Sequence, residues 1–157
     1  MRISNPQERE HPPRQDRRRG SRDAINRMVK ERGEVLALYW RLAGLDPYGG
    51  GRERASAQKL LTEFCQLLVD YIAAGHFTLY ERIVNGTERR RGLAELAREL
   101  YPRIADTTSA ALDFNDKYDG EACDIGESFK ADLSRLGEEL ALRIELEDKL
   151  IARLLAG

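Results

Sequence analysis

Histidine and cysteine are scarce: the chain has two of each in 157 residues. Cys65 and Cys123 stand far apart, without metal-ligand spacing, so both are expected to stay reduced thiols. A di-iron site in a helical bundle needs Glu-x-x-His pairs on facing helices. Only His11, near the N-terminus, and His76 are available, and Ala73 stands three residues before His76. Too few histidines remain for a hemerythrin-like centre. No glycine-rich phosphate loop and no zinc signature occurs. No apolar run approaches the roughly 20 residues that span a bilayer. The polar N-terminus lacks the apolar segment of a secretory signal. These absences leave a cytoplasmic protein without cofactor or membrane anchor as the expectation.

Abundance points the other way, toward helix. Leu, Ala, Glu and Arg dominate, and all four favour helical backbone. Hydrophobic residues make up 41 % and charged residues 34 %, the balance of a core wrapped in a charged surface. The net charge of −1 covers an asymmetry. Residues 1–22 carry seven arginines against three acids, a net +4, which leaves −5 for the remainder. The acidic extreme is 106–148, with thirteen carboxylates against four basic side chains.

Residues 1–22 hold Pro6, Pro12, Pro13 and an arginine run with almost nothing apolar. Such a segment cannot bury enough surface to offset ordering entropy, so a disordered tail is expected there. It serves either as a nucleic-acid-binding arm or as a solubilising extension. A single domain over 23–157 follows. Its first helix is expected from Asp23 to Ala43, with Ile25, Met28, Val29, Leu36, Tyr39 and Ala43 on one face. Gly44 stops it and Pro47 confirms the break. A second helix starts near Ser56, and Gly75 either ends it or bends it before a continuation to Val84. Asn85-Gly86 marks a turn. A third runs from Glu88 to Lys117, kinked or divided at Pro102. The last runs from Asp124 or Ser128 to Leu155, with Phe129, Leu133, Leu136, Leu140, Ile144, Ile151 and Leu155 as its stripe. Four amphipathic helices with short connections give an all-α, up-down four-helix bundle.

Two catalytic arrangements can be drawn on such a bundle. Cys65 with His76 suggests a thiol nucleophile, but Cys65 shares an apolar face with Phe64 and Leu68, which suits a buried structural thiol. Arg32, Arg82, Arg143 and Glu147 suit an arginine-lined pocket of the chorismate mutase type. The same four suit ordinary ion pairs or solvated helix faces.

One run mixes core and surface demands: Phe64-Cys65-Gln66-Leu67-Leu68-Val69-Asp70-Tyr71-Ile72-Ala73-Ala74-Gly75-His76-Phe77-Thr78-Leu79-Tyr80-Glu81-Arg82-Ile83. On a continuing helix Asp70, Phe77 and Glu81 share a stripe, with Tyr80 beside Phe77. Aromatics bordered by carboxylates form protein-binding hot spots. The same aromatics also suit a core, with His76 capping the helix after Gly75.

The string F-C-Q-x-L-V-D-Y-x-x-A-G-H-F-x-x-Y-E-R-I in this run resembles the central motif of the Rsd/AlgQ family, the regulators of sigma D. Arg32 to Pro47, R-x-x-x-L-x-x-Y-W-x-L-x-G-L-x-P, is similar to the family's first helix and exit. L-E-D-K-L-I at Leu146–Ile151 is similar to its last helix. The resemblance covers about 24–155, is most specific in the central motif, and leaves out the arginine-rich 1–22. It implies an anti-sigma factor and no enzyme. Such a protein binds the C-terminal region of the primary sigma factor and keeps it from core RNA polymerase and the −35 promoter element. It implies a docking face at Asp70, Ala74, His76, Phe77, Tyr80 and Glu81, and no direct contact with DNA. An acidic helical body that competes for sigma's basic DNA-reading surface fits the charge pattern.

Overall fold

The computed structural model describes residues 14–45, 51–80, 91–119 and 125–155, and the side chains within them except 14–21, 53, 80 and 91. Four α-helices lie among the described residues: α1 Arg14–Ala43, α2 Gly51–Gly75, α3 Arg91–Tyr118 and α4 Phe129–Leu155. A π-helical turn, His76–Tyr80, extends α2. No strand occurs among the described residues. Neighbours in sequence pack together, and α1 closes the ring against α4. Pairings run in opposite directions along the chain. Tyr39 reaches Leu133 while Arg32 reaches Asp148, and Arg143 meets Thr107 while Lys117 meets Asp132. The expected all-α, up-down bundle is the observed one.

A 3-4 alternation of inward positions runs along every helix, the spacing that keeps one seam facing a bundle axis. It reads Ile25, Met28, Arg32, Val35, Tyr39, Leu42 in α1, and Ala57, Leu61, Phe64, Leu68, Tyr71, Gly75 in α2. It continues as Leu93, Ala97, Leu100, Ile104, Thr107, Ala111, Phe114, Tyr118 in α3, and Phe129, Leu133, Leu136, Leu140, Arg143, Glu147, Leu150 in α4. All are buried except Arg32 and Tyr39, which are half-buried. Two expected stripes are therefore corrected. Val29 and Ala43 are exposed, while Val35 and Leu42 are buried. In α4, Ile144 and Ile151 are half-buried and Leu155 exposed, while Arg143 and Glu147 point inward. Charged residues within the seam displaced the expected phase.

Boundaries shift as well. α1 begins at Arg14 rather than Asp23, so helical backbone extends into the arginine-rich stretch. Arginine is a good helix former, and lengthening a formed helix costs little once it is nucleated. α2 begins at Gly51, ahead of Ser56. α1 stops at Ala43 as expected, with the Gly44 amide donating to the Trp40 carbonyl at 3.1 Å. α3 runs through Pro102 as one helix and is not divided. Residues 1–13, Tyr48–Gly50, Asn85-Gly86, Gly120 and Cys123 lie outside the described residues. Cys65 is buried and His76 exposed, so the thiol–imidazole pair is not assembled.

Candidate functional site

Gly75 is the last α-helical residue of α2, and its neighbours leave little room for a side chain. A Cβ there would stand 3.2 Å from the Arg143 Nη2 and 3.3 Å from the Glu147 Oε2. The backbone beyond it adopts i→i+5 bonding, a wider turn than an α-helix makes. Such a turn alters the angular position of the residues that follow, and a strictly α-helical stripe from Asp70 to Glu81 does not carry through it. Leu79, fully buried, pins the turn, which packs on α1 and α2.

This scaffold spreads the expected site residues over the end of α2. Phe77 is 61 % exposed, which removes it from the core. His76 is also exposed and its ring meets Phe77 edge-on, centroids 5.3 Å apart. Asp70 is exposed and accepts a hydrogen bond from Gln66 Nε2 at 3.2 Å. Ala74 is half-buried between them. Tyr80 closes the π turn, with its side chain outside the described atoms, and Glu81 and Arg82 lie beyond the described residues. Across from Asp70, Glu31 of α1 has its carboxyl pushed up, first by burial and then by the charges of Asp70 and Glu34. Glu31, Glu34 and Asp70 thus bring three carboxylates together near the exposed ring, with Arg27 close to Glu31.

A groove of about 430 Å³ adjoins the expected site residues and shares two of them, running between Ile72, His76 and Phe77 and the α3 residues Tyr101, Ile104 and Leu112. Phe77, Tyr101 and Leu112 are three of the exposed large apolar side chains among the described residues. Another is Trp40, 71 % exposed at the far end of α1, which the reading of the sequence left without a role.

Beneath Gly75 lies a buried polar layer that composition did not reveal. Arg143 is 1 % exposed and Glu147 not at all. The Arg143 Nη1 donates to Thr108 Oγ1 at 2.7 Å and Thr107 Oγ1 at 3.2 Å, and the guanidinium lies over the Tyr71 ring. Its Nε faces the Glu147 Oε2 at 3.4 Å. The Tyr71 hydroxyl donates to the other Glu147 oxygen. Arg32 stands 3.8 Å from that oxygen and binds Asp148 at 2.8 Å on the solvent side. Burial raises the Glu147 pKa more than Arg143, the tyrosine and Arg32 lower it. Burial, then the Glu147 charge, raises Tyr71, which stays a protonated donor. Arg32, Arg143 and Glu147 therefore do converge, but mainly on one another, and only Arg143 of the three reaches the groove wall. A heptad spacing that passes through charged residues was the signal available in the sequence. Among the described residues no cluster of His, Cys, Asp and Glu is arranged to hold a metal ion.

Fold and site place the chain among helical-bundle binding proteins: its buried charges engage each other, and the expected site offers an aromatic ring, an imidazole and a carboxylate. The chain matches, over residues 10–155, the family described as "Regulator of RNA polymerase sigma(70) subunit, Rsd/AlgQ". It is 38 % identical over 138 residues to proteins named Regulator of sigma D in Shigella dysenteriae serotype 1 (strain Sd197) and Escherichia coli (strain K12 / DH10B), a span of 87 % of this chain and 86 % of each relative. The chain belongs to the Rsd/AlgQ family, whose members are sigma-factor regulators and not enzymes. The match begins at residue 10, which corrects the exclusion of the arginine-rich stretch from the resemblance. No helix among the described residues is long and apolar enough to cross a membrane.

Proposed function

We propose that this protein binds the C-terminal region of the primary sigma factor in the cytoplasm and occludes the surfaces that meet core polymerase and the −35 element. The docking face is Asp70, Ala74, His76 and Phe77, continued by Tyr80 and Glu81. The observation that carries this reading is the exposed Phe77 ring, held out by a turn whose next residue but one, Leu79, is locked in the core. A ring so exposed loses apolar surface to water and regains it only under a partner. Asp70, with Glu31 and Glu34 across from it on α1, suits the basic side chains of a DNA-reading element. The protein itself does not contact DNA in this reading. Its effect on transcription comes from withholding sigma.

The test uses purified sigma, its C-terminal region alone, and sigma lacking that region. Binding is expected for the first two and lost for the third. Phe77→Ala should weaken binding by roughly thirtyfold, about 2 kcal/mol, while melting stays near that of the wild type. Equal binding of sigma without its C-terminal region would sink the proposal. Normal binding by Phe77→Ala would remove the face from it.

A further inference from the structure

The groove between α2 and α3 has two ends of different character; His76 and Phe77 of the docking face stand at one, and the docking face does not explain the other. Its walls are apolar, from Val69, Ile72, Ala73 and Ile104, and Phe77, Tyr101 and Leu112 stand exposed at its margin. Thr108, Ser109 and Arg143 form its polar part. Its volume of about 430 Å³ falls in the roughly 300–1,000 Å³ range of small-molecule sites, which combine apolar walls with a few orienting polar groups.

Arg143 is the unusual member. Its guanidinium is buried and permanently charged; its Nε is ion-paired with the Glu147 Oε2 at 3.4 Å, without a hydrogen bond at either atom. A charge held this deep is ordinarily matched by full hydrogen bonding. Here the facing carboxylate is shared with Tyr71 and Arg32. We infer that the groove is a binding site for a small amphipathic monoanion, an apolar body carrying one carboxylate that pairs with Arg143 beside Thr108 and Ser109. One carboxylate fits better than a dianionic phosphate, because among the described residues Arg143 is the single arginine or lysine of the wall and it already faces Glu147. The apolar body covers Ile72 and Ile104 and removes the exposed margin from water.

The inference stands apart from the sigma reading, since its test needs this chain alone. Octanoate is titrated into the full-length protein and followed by nitrogen-15 NMR at the backbone of Ala73 and Ser109 and at the Arg143 Nε–H. The uncharged counterpart 1-octanol is titrated in parallel. Octanoate should shift these signals saturably and bind at least tenfold more tightly than octanol. Removing Arg143 would strand Glu147 and risk unfolding, so two wall positions serve instead. Ala73→Phe, on an exposed face of α2, should fill the groove and abolish octanoate binding. Ser109→Asp should weaken octanoate at least tenfold and leave octanol unchanged. No saturable shift with octanoate would overturn the inference. Equal affinities for the two probes would make the groove a purely apolar seat, such as one for a partner's side chain, and would also overturn it. Undiminished binding to Ala73→Phe would place the ligand elsewhere, with the same result.

Discussion

Where α1 finishes and α4 begins, the helices meet through rings. Tyr39 lies 6.3 Å from Phe64, Phe64 5.9 Å from Phe114, Phe114 4.7 Å from Tyr118, and Tyr118 5.3 Å from Phe129. About 10 Å further along the axis, at seven residues of 1.5 Å rise, the same seam passes through Arg32, Tyr71, Arg143 and Glu147. The two regions use one geometry and opposite chemistry. Rings bury large area and tolerate neglect of direction, since offset and edge-on contacts are nearly equivalent. Charges tolerate none, because each needs its partner in place. Even the carboxylates behave oppositely. Asp132, at the aromatic end, has its pKa lowered by hydrogen bonds from Lys117 and Tyr118. Glu147 has its pKa raised by burial.

The sharpest way to break this comparison is to remove one charge from the buried layer. Arg143→Met alone should cost about 3–5 kcal/mol, a large part of the roughly 5–15 kcal/mol that holds a domain folded. Arg143→Met combined with Glu147→Leu and Tyr71→Phe should recover most of that loss, as an apolar layer like its neighbours. Urea midpoints of the two chains measure it. A single variant as stable as the wild type would show that the layer is not coupled.

A smaller effect belongs to the aromatic end. Gly137 lets the Tyr39 hydroxyl reach the α4 backbone, where it donates to the Leu133 carbonyl at 3.0 Å. Gly137→Ala should push that hydroxyl out at about 1–3 kcal/mol, against about 1 kcal/mol returned by replacing a helical glycine. In a Tyr39→Ala background, which also removes the ring whose Cζ would stand 2.7 Å from the new Cβ, the same change should raise the melting temperature instead. Thermal scans of the four chains decide it, and a rise in both backgrounds would show that the close approach constrains nothing.

The smallest effect is one of pH. Asp132 has a folded pKa below its ordinary value, so its contribution is present above about 3.9 and is lost as pH falls through the folded value. Glu147 works the other way: its contribution is complete below about 4.3 and is lost as pH rises through its raised value. Asp132→Asn should therefore flatten the acid limb of the stability curve, and Glu147→Gln should not. An unchanged limb in Asp132→Asn would remove that residue from acid unfolding.

Much of the fold was legible because most seam positions are apolar and the stops are conventional. Gly44 ended α1, Leu155 ended α4, and Phe129, Leu133, Leu136 and Leu140 gave the phase of the last helix. Legibility failed where a charge took a seam position. Skipping Arg32 shifted the α1 stripe from Val35 and Leu42 toward Leu36 and Ala43, and skipping Arg143 and Glu147 moved the α4 stripe to Ile144 and Ile151. The candidate site could be named from the sequence as a string of residues, but not drawn as a surface. Periodicity could not foresee a π turn after Gly75, nor that Gly75 packs against a guanidinium and a carboxylate from a helix some seventy residues away. Nor could it tell exposed Phe77 and Trp40 from core rings, since an aromatic carries no mark of the side it faces.

The buried layer also has a consequence in time. Arg32 and Asp148 are 116 residues apart, and Tyr71 and Glu147 are 76 apart. Neither the α1–α2 hairpin nor the α3–α4 hairpin can assemble the layer by itself, whereas Phe114, Tyr118 and Phe129 meet within one hairpin. Contacts that close such long loops form after local ones. The ionic layer is then a latch thrown last, present in the native state and absent from the transition state. Its loss should quicken unfolding in proportion to the stability lost and leave the refolding rate nearly unchanged, the two arms of a chevron plot for Tyr71→Phe, which removes the bond to Glu147 between the hairpins, being the measurement.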